Sequence, residues 1–261
     1  MAIDGTRKTM ELEVLSYERL KAQDNDEVQK MIRVLSNEGL FFLDMKGPSA
    51  KDFLADLPPV LRHQRNFFER TPEVKSKYHT GLYYKGFYTF DSGVEKIHLG
   101  REEYVQGTLD LPEDLHPVAD KVANTSAFID NVLRELGIGL CKSMDPPVPA
   151  ALHDPENPGL SNLYLAISKV RPGTFIMPSH LDDGFLTLTF YDEPFLEVLD
   201  RATQEWKLVE VNEHMPIVNA GEELQRNSND RLYAPLHRCY QGPNEIDLIM
   251  FDLFESPRSV E

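Results

Sequence analysis

His180 and Asp182 stand two residues apart in MPSHLDDGFLTLTF, and His237 follows in LYAPLHRCYQG. Two imidazoles and one carboxylate can hold a divalent metal on one face. They leave the opposite coordination positions open for substrate and O2. Zinc accepts the same donors, so ligand types alone do not choose the metal. On a strand, residues i and i+2 point to the same side. His180 and Asp182 are therefore expected to aim into one cavity with Leu181 turned away, and His237 to arrive from another strand. Taken alone, a His-X-Asp pair is more often a turn or surface feature than a ligand pair. Asp183 is the decoy if the register slips by one.

Other reactive side chains carry blander readings. His63 and His79 lie beside or beyond a predicted helix, and His98, His116, His153 and His214 fall in polar stretches. They read as solvated or packing histidines, and Glu102 and Glu103 as surface charges. Cys141 and Cys239 read as reduced thiols. Polar residues near the ligands could line a pocket or be satisfied by backbone: Tyr164, Ser168, Thr187, Thr189, Asn219 and Gln225. Tyr83, Tyr84 and Phe87 could roof it. Arg238 should point away from His237 and be structural.

The elements that must position these groups change character along the chain. ELEVLSY alternates as a strand, Asp24 to Ser36 carries Val28, Met31, Ile32 and Leu35 at helical spacing, and Gly39 ends that helix before the strand LFFLDM. A second helix is predicted over residues 49–70, broken or kinked at Pro58-Pro59, and a third over 117–143. A Pro-rich connector, MDPPVPAALHDPENPG, follows. Beyond it the short apolar runs LYLAISKV, FLTLTFY, LEVLD, KLVEV, PIVNAG and IDLIMFDLF, separated by turn residues, predict a sandwich-like or barrel-like β-core. The expected class is α+β: a helical and mixed region over residues 1–150 packed on a β-rich core over 151–261.

From Ser161 to Phe251 the chain resembles the isopenicillin N synthase-like branch of the Fe(II)/2-oxoglutarate-dependent oxygenases. HLDDGFLTLTFYDEPFLEVLD is similar to that family's metal-binding strand and the strand pair after it. EWKLVEV and PIVNAGEELQRNSNDRLYAPLHRC resemble its Trp strand, its Asn-X-Gly and Ser-Asn turns and its final His-Arg. LSNEGLFFLDM and HQRNFFERTPEVKSKYH match its first half more loosely. The resemblance implies a double-stranded β-helix, or jelly roll, with His180, Asp182 and His237 as Fe(II) ligands. It also implies an enzyme whose partners are O2 and a small-molecule substrate; a cytoplasmic location is expected.

The chain departs from that family in one place. The family usually places an Arg-X-Ser pair about ten residues after the second histidine, where it binds the far carboxylate of 2-oxoglutarate; a guanidinium fork suits a carboxylate. Here the positions fall on Ile246 and Leu248. A buried carboxylate against two aliphatic side chains would cost several kcal/mol. One expectation is an oxidase that uses no 2-oxoglutarate and closes a ring on, desaturates or hydroxylates a small carboxylate-bearing metabolite such as an aliphatic amino acid. The other is a 2-oxoglutarate user with a different cation, Lys169 or Arg171, Lys169 falling where the family often has a carboxylate-contacting Tyr. A third is a non-enzymatic jelly roll that binds metal or ligand.

Composition narrows the partners. Lys and Arg number 27 against 43 Asp and Glu, a formal net charge of −16. That excess of acid argues against nucleic acid. No apolar run is long enough for a bilayer span, and the first residues lack a signal-peptide core. The chain stops at ESPRSVE, soon after the last apolar run, where the family often adds a C-terminal helix, so either a more open mouth or a lid from another segment or a second subunit is expected.

Overall fold

The structure is a computed structural model describing residues 7–82, 85–150, 152 and 161–255. The first strand, β1 (Val14–Ser16), leads through the short helix α1 (Tyr17–Lys21) into α2 (Asn25–Asn37). Asp24 caps α2 by accepting from the Glu27 amide, and Val28, Met31, Val34 and Leu35 form its buried side. Gly39 then takes a left-handed φ of 80°, which a glycine adopts without strain, and the chain enters β2 (Leu40–Asp44).

Helix α3 (Lys51–Phe68) runs through Pro58 and Pro59 without a break; of the break or kink expected there, the break does not occur. Prolines remove backbone donors, but Phe53, Leu57, Val60 and Phe67 on both sides of the pair are buried in the core. That packing outweighs the lost hydrogen bonds. After α4 (Pro72–Lys75) come β3 (Gly86–Thr89) and β4 (Glu95–Gly100), in a stretch with no strand expected. Helix α5 (Arg101–Gln106) and the long helix α6 (Ala119–Ser143) complete this half.

The second half supplies β5 (Asn162–Ser168), β6 (Phe175–His180), β7 (Leu186–Tyr191), β8 (Leu196–Leu199), β9 (Trp206–Leu208) and β10 (Ile217–Ala220). Helix α7 (Glu222–Asn227), β11 (His237–Tyr240) and β12 (Ile246–Leu253) follow. They form two facing sheets, one ordered β1-β2-β10-β7-β12-β5-β4-β3 and the other β6-β11-β8-β9. This is the jelly roll. Residues 1–150 do more than cover it, because β1 to β4 are strands of the large sheet.

The large sheet has two buried faces. Leu163, Leu165, Ile167, Leu186, Leu188, Ile249 and Phe251 pack with side chains of α2, α3 and α6 in the main core. The alternate residues, among them Lys96, Tyr164, Ala166, Thr189, Leu248 and Met250, face the cavity between the sheets. Strand period two therefore sorts core from cavity on every central strand.

Candidate active site

Strand β6 ends at His180, so Asp182 sits in the bend after it and not on the strand. The bend is fastened from α7. The amides of Gly221, Glu222 and Glu223 donate to the carbonyls of Phe185, Asp182 and Gly184 at 3.1, 2.8 and 3.1 Å. Only glycine fits at position 221: a Cβ there would lie 2.0 Å from the Gly184 carbonyl oxygen. His237 begins β11 and pairs in register with His180 across the small sheet. The expected meeting of two strands thus occurs, with the carboxylate delivered by a clamped turn.

The three ligand atoms lie within 4.8 Å of one another. His180 Nε2 is 3.7 Å and His237 Nε2 is 3.5 Å from Asp182 Oδ1. Each Nδ1 faces a backbone carbonyl, of Pro178 at 2.8 Å and Pro235 at 3.0 Å. A proton held there leaves the Nε2 lone pairs aimed at the carboxylate, the tautomer a metal needs. Asn219 donates to Asp182 Oδ2 at 2.8 Å and leaves Oδ1 on the ligand side. Neighbouring donors around a metal at about 2.1 Å stand roughly 3 Å apart, so the set closes onto an ion after side-chain shifts on the order of 1 Å.

Electrostatics point the same way. Burial alone would raise the Asp182 carboxyl, but the adjacent His237 and the hydrogen bond from Asn219 hold it well below the usual range. Burial and the neighbouring His237 lower His180. Burial also works against a charged His237, yet the Asp182 charge outweighs it and raises that imidazole. The carboxylate stays ionised in a buried place and draws a cation toward itself.

The cavity beyond the triad is mostly apolar, with Phe90, Ile176, Phe195, Val198, Leu248 and Met250 among its walls. Tyr164, Thr189 and Asn219 line it as well. Ile246 is fully buried behind Leu248, packed with Val94, Ile176 and Phe195. Lys169 and Arg171 lie outside the lining. Lys169 sits 3.7 Å from Glu245 with its side chain 31% exposed, and Arg171 is an exposed loop residue. A strand-end position gave both to solvent. Arg238 faces away from the ligands, pairing with Glu197 at 2.7 Å. Phe87 is buried in the main core against Phe67 and roofs nothing. Tyr83, Tyr84 and His153 lie outside the described residues.

The sequence reading missed Lys96. It is 6% exposed on β4 and is the only Lys or Arg among the described residues that line the cavity. Its Nζ lies 4.3 Å from the Phe90 ring centroid and 4.5 Å from that of Tyr164. His98, expected in a polar loop, is instead fully buried on β4 with its ring edge-on to Tyr164 at 4.4 Å. Asp252, on the cavity-facing side of β12, is raised to about 6 by burial and by the Asp182 charge, with Lys96 opposing.

No family model matches the chain. It is 26% identical over 247 residues to a 2-oxoglutarate-dependent dioxygenase of Gibberella zeae, spanning 88% of this chain and 74% of that one. A 2-oxoglutarate-dependent dioxygenase of Aspergillus fumigatus is 25% identical over 278 residues, spanning 91% and 72%. Among solved structures, the rice dioxygenase for auxin oxidation superposes with a TM-score of 0.75 at 18% identity, over 95% of this chain and 87% of that chain. A 2OG-Fe(II) oxygenase family protein from Caulobacter crescentus gives 0.78 at 18% identity, over 95% and 88%. The solved structures establish the shared jelly-roll fold. With relatives of this kind along both halves of the chain, Fe(II) is the metal expected at His180, Asp182 and His237. The protein is an enzyme of the non-haem Fe(II) dioxygenase class.

Proposed function

We propose that the protein is a 2-oxoglutarate-dependent dioxygenase that oxidises an aliphatic carbon of a small, largely apolar metabolite. The observation that carries this reading is the placement of His180, Asp182 and His237 at one end of a cavity walled mainly by aliphatic and aromatic side chains. The names of the Gibberella and Aspergillus relatives support the cosubstrate. Bound iron supplies the activation of O2. The chain itself does the rest. The two imidazoles and Asp182 fix the ion, Asn219 sets which carboxylate oxygen faces it, and the apolar walls hold substrate while excluding water. In the balanced reaction one oxygen atom of O2 enters succinate with release of CO2, and the other goes to substrate or water.

A second reading rests on Ile246 and Leu248, which are apolar in the structure as in the sequence. In it no 2-oxoglutarate is used, and the substrate is an aliphatic amino acid or similar carboxylate, as in the isopenicillin N synthase-like branch. Among the described residues the cavity offers one ammonium, so one carboxylate is served: the cosubstrate's or the substrate's. Turnover of a small-acid and amino-acid panel by the Fe(II)-loaded protein under O2 separates the two. The first reading expects one succinate per product. Turnover without 2-oxoglutarate would overturn it.

A further inference from the structure

Leu248, where the family resemblance leads one to expect the second residue of an Arg-X-Ser anchor, pairs with Ala166, and Ala166 pairs with Lys96. The three form one row across β12, β5 and β4. Strands lie about 4.8 Å apart, so Lys96 and Leu248 are roughly 10 Å apart at the backbone. Only the Ala166 methyl stands between them. A four-carbon lysine stem can therefore lie across the row into the space beside Leu248. The row is braced from behind: Gln64 of α3 donates to the Ala166 and Leu248 carbonyls at 2.7 and 3.3 Å.

The same register locates the metal end. Asn219, which holds Asp182, pairs with Thr187, and Thr187 pairs with Asp252. Asp252 is four residues from Leu248 on β12, about 13 Å along the strand. The Lys96 ammonium does not point away from that end. It packs on Tyr164, in the row between, and its charge acts on Asp252. The ligand imidazoles enter from one end and the lysine stem from the other, so the space between them is shorter than that backbone separation. Aromatic faces stabilise the buried cation, and a carboxylate arriving there gains a charge-assisted hydrogen bond in a low-dielectric site.

We propose that Lys96 holds the distal carboxylate of 2-oxoglutarate, replacing from β4 the arginine that β12 lacks. This rests on the dioxygenase reading above. The test is calorimetric titration of Mn(II)-loaded protein with 2-oxoglutarate and with 2-oxopentanoate, which keeps the 2-oxo acid head but ends in a methyl group. Wild type should prefer 2-oxoglutarate by on the order of 10- to 100-fold, the worth of one charge-assisted hydrogen bond. In Lys96→Met that preference should vanish, with 2-oxopentanoate affinity and Mn(II) stoichiometry unchanged. Lys96→Arg should keep a preference of at least about threefold. A Lys96→Met protein that still prefers 2-oxoglutarate as strongly as wild type would overturn the assignment, as would a wild type with no preference. If Lys96→Met does not fold, Lys96→Gln carries the same comparison with the same two outcomes. Failure of the parent reading looks different: the preference would be present and Lys96-dependent, yet turnover would release no succinate.

Discussion

The two ends of the cavity are built on different principles. At the metal end, every ligand is locked by a short-range partner: Pro178 and Pro235 carbonyls for the imidazoles, Asn219 for the carboxylate. At the far end, the ammonium of Lys96 packs on the Phe90 and Tyr164 rings, and its strand stands one small neighbour, Ala166, away from Leu248. A metal demands several donors at fixed angles. A carboxylate needs one cation within reach. The first requirement leaves little freedom in which residues are used, and the second can be met from more than one strand.

The largest expected effect is at the metal end. Asp182→Ala should leave about one-tenth or less of the metal per chain and no measurable turnover, because two neutral imidazoles lose their only anionic partner. Elemental analysis after dialysis against Fe(II) or Mn(II) checks it. Retention of stoichiometric metal would break the contrast at its stronger end. Removing the support while keeping the ligand should cost less: Asn219→Ala is expected to weaken Mn(II) binding about 10- to 100-fold, the usual loss for a partner behind a ligand.

Asp252 stands near the metal-end row and feels both ends. Its carboxyl is raised from 3.8 to about 6. Between those values the unfolded chain holds fewer protons at this site than the native one, so the site's contribution to stability falls as pH rises. Metal-free Asp252→Asn should therefore lose less stability than wild type from about pH 4 to pH 6 in urea unfolding. Parallel curves would refute the burial of that charge. The smallest effect is expected from Lys169→Ala, whose partner Glu245 is itself half exposed. Cosubstrate affinity should stay within about twofold of wild type, since exposed pairs contribute little. A larger loss would move the carboxylate site to the strand end.

The same contrast explains what could be read without a structure. His180-X-Asp182 is a local spacing, and the turn residues Asn219 and Gly221 accompany it, so the metal end was legible in the chain. The core strands β5, β7, β10 and β12 were legible too, as apolar runs. Lys96 was not. In GVEKIHLG the residues Val94, Lys96 and His98 alternate with Glu95, Ile97 and Leu99. A lysine and a histidine two residues apart ordinarily mark a strand face in water. Here that face looks into the cavity of a jelly roll, and only the pairing of β4 with β5, about 70 residues later, reveals it. Helix α3 was misjudged for a related reason: proline is a local instruction, and burial of Phe53, Leu57 and Val60 overrode it.

The clamp between α7 and the bend of Asp182 bears on how the enzyme is loaded. Three backbone amides fasten that bend to the helix without using any ligand side chain, and Gly221 lets the two segments approach closely. Metal uptake is then expected to need little ordering of the chain around Asp182. Hydrogen exchange at the Gly221, Glu222 and Glu223 amides should stay slow in chelator-treated protein, and the enzyme should survive cycles of iron loss and refilling without passing through an unfolded state.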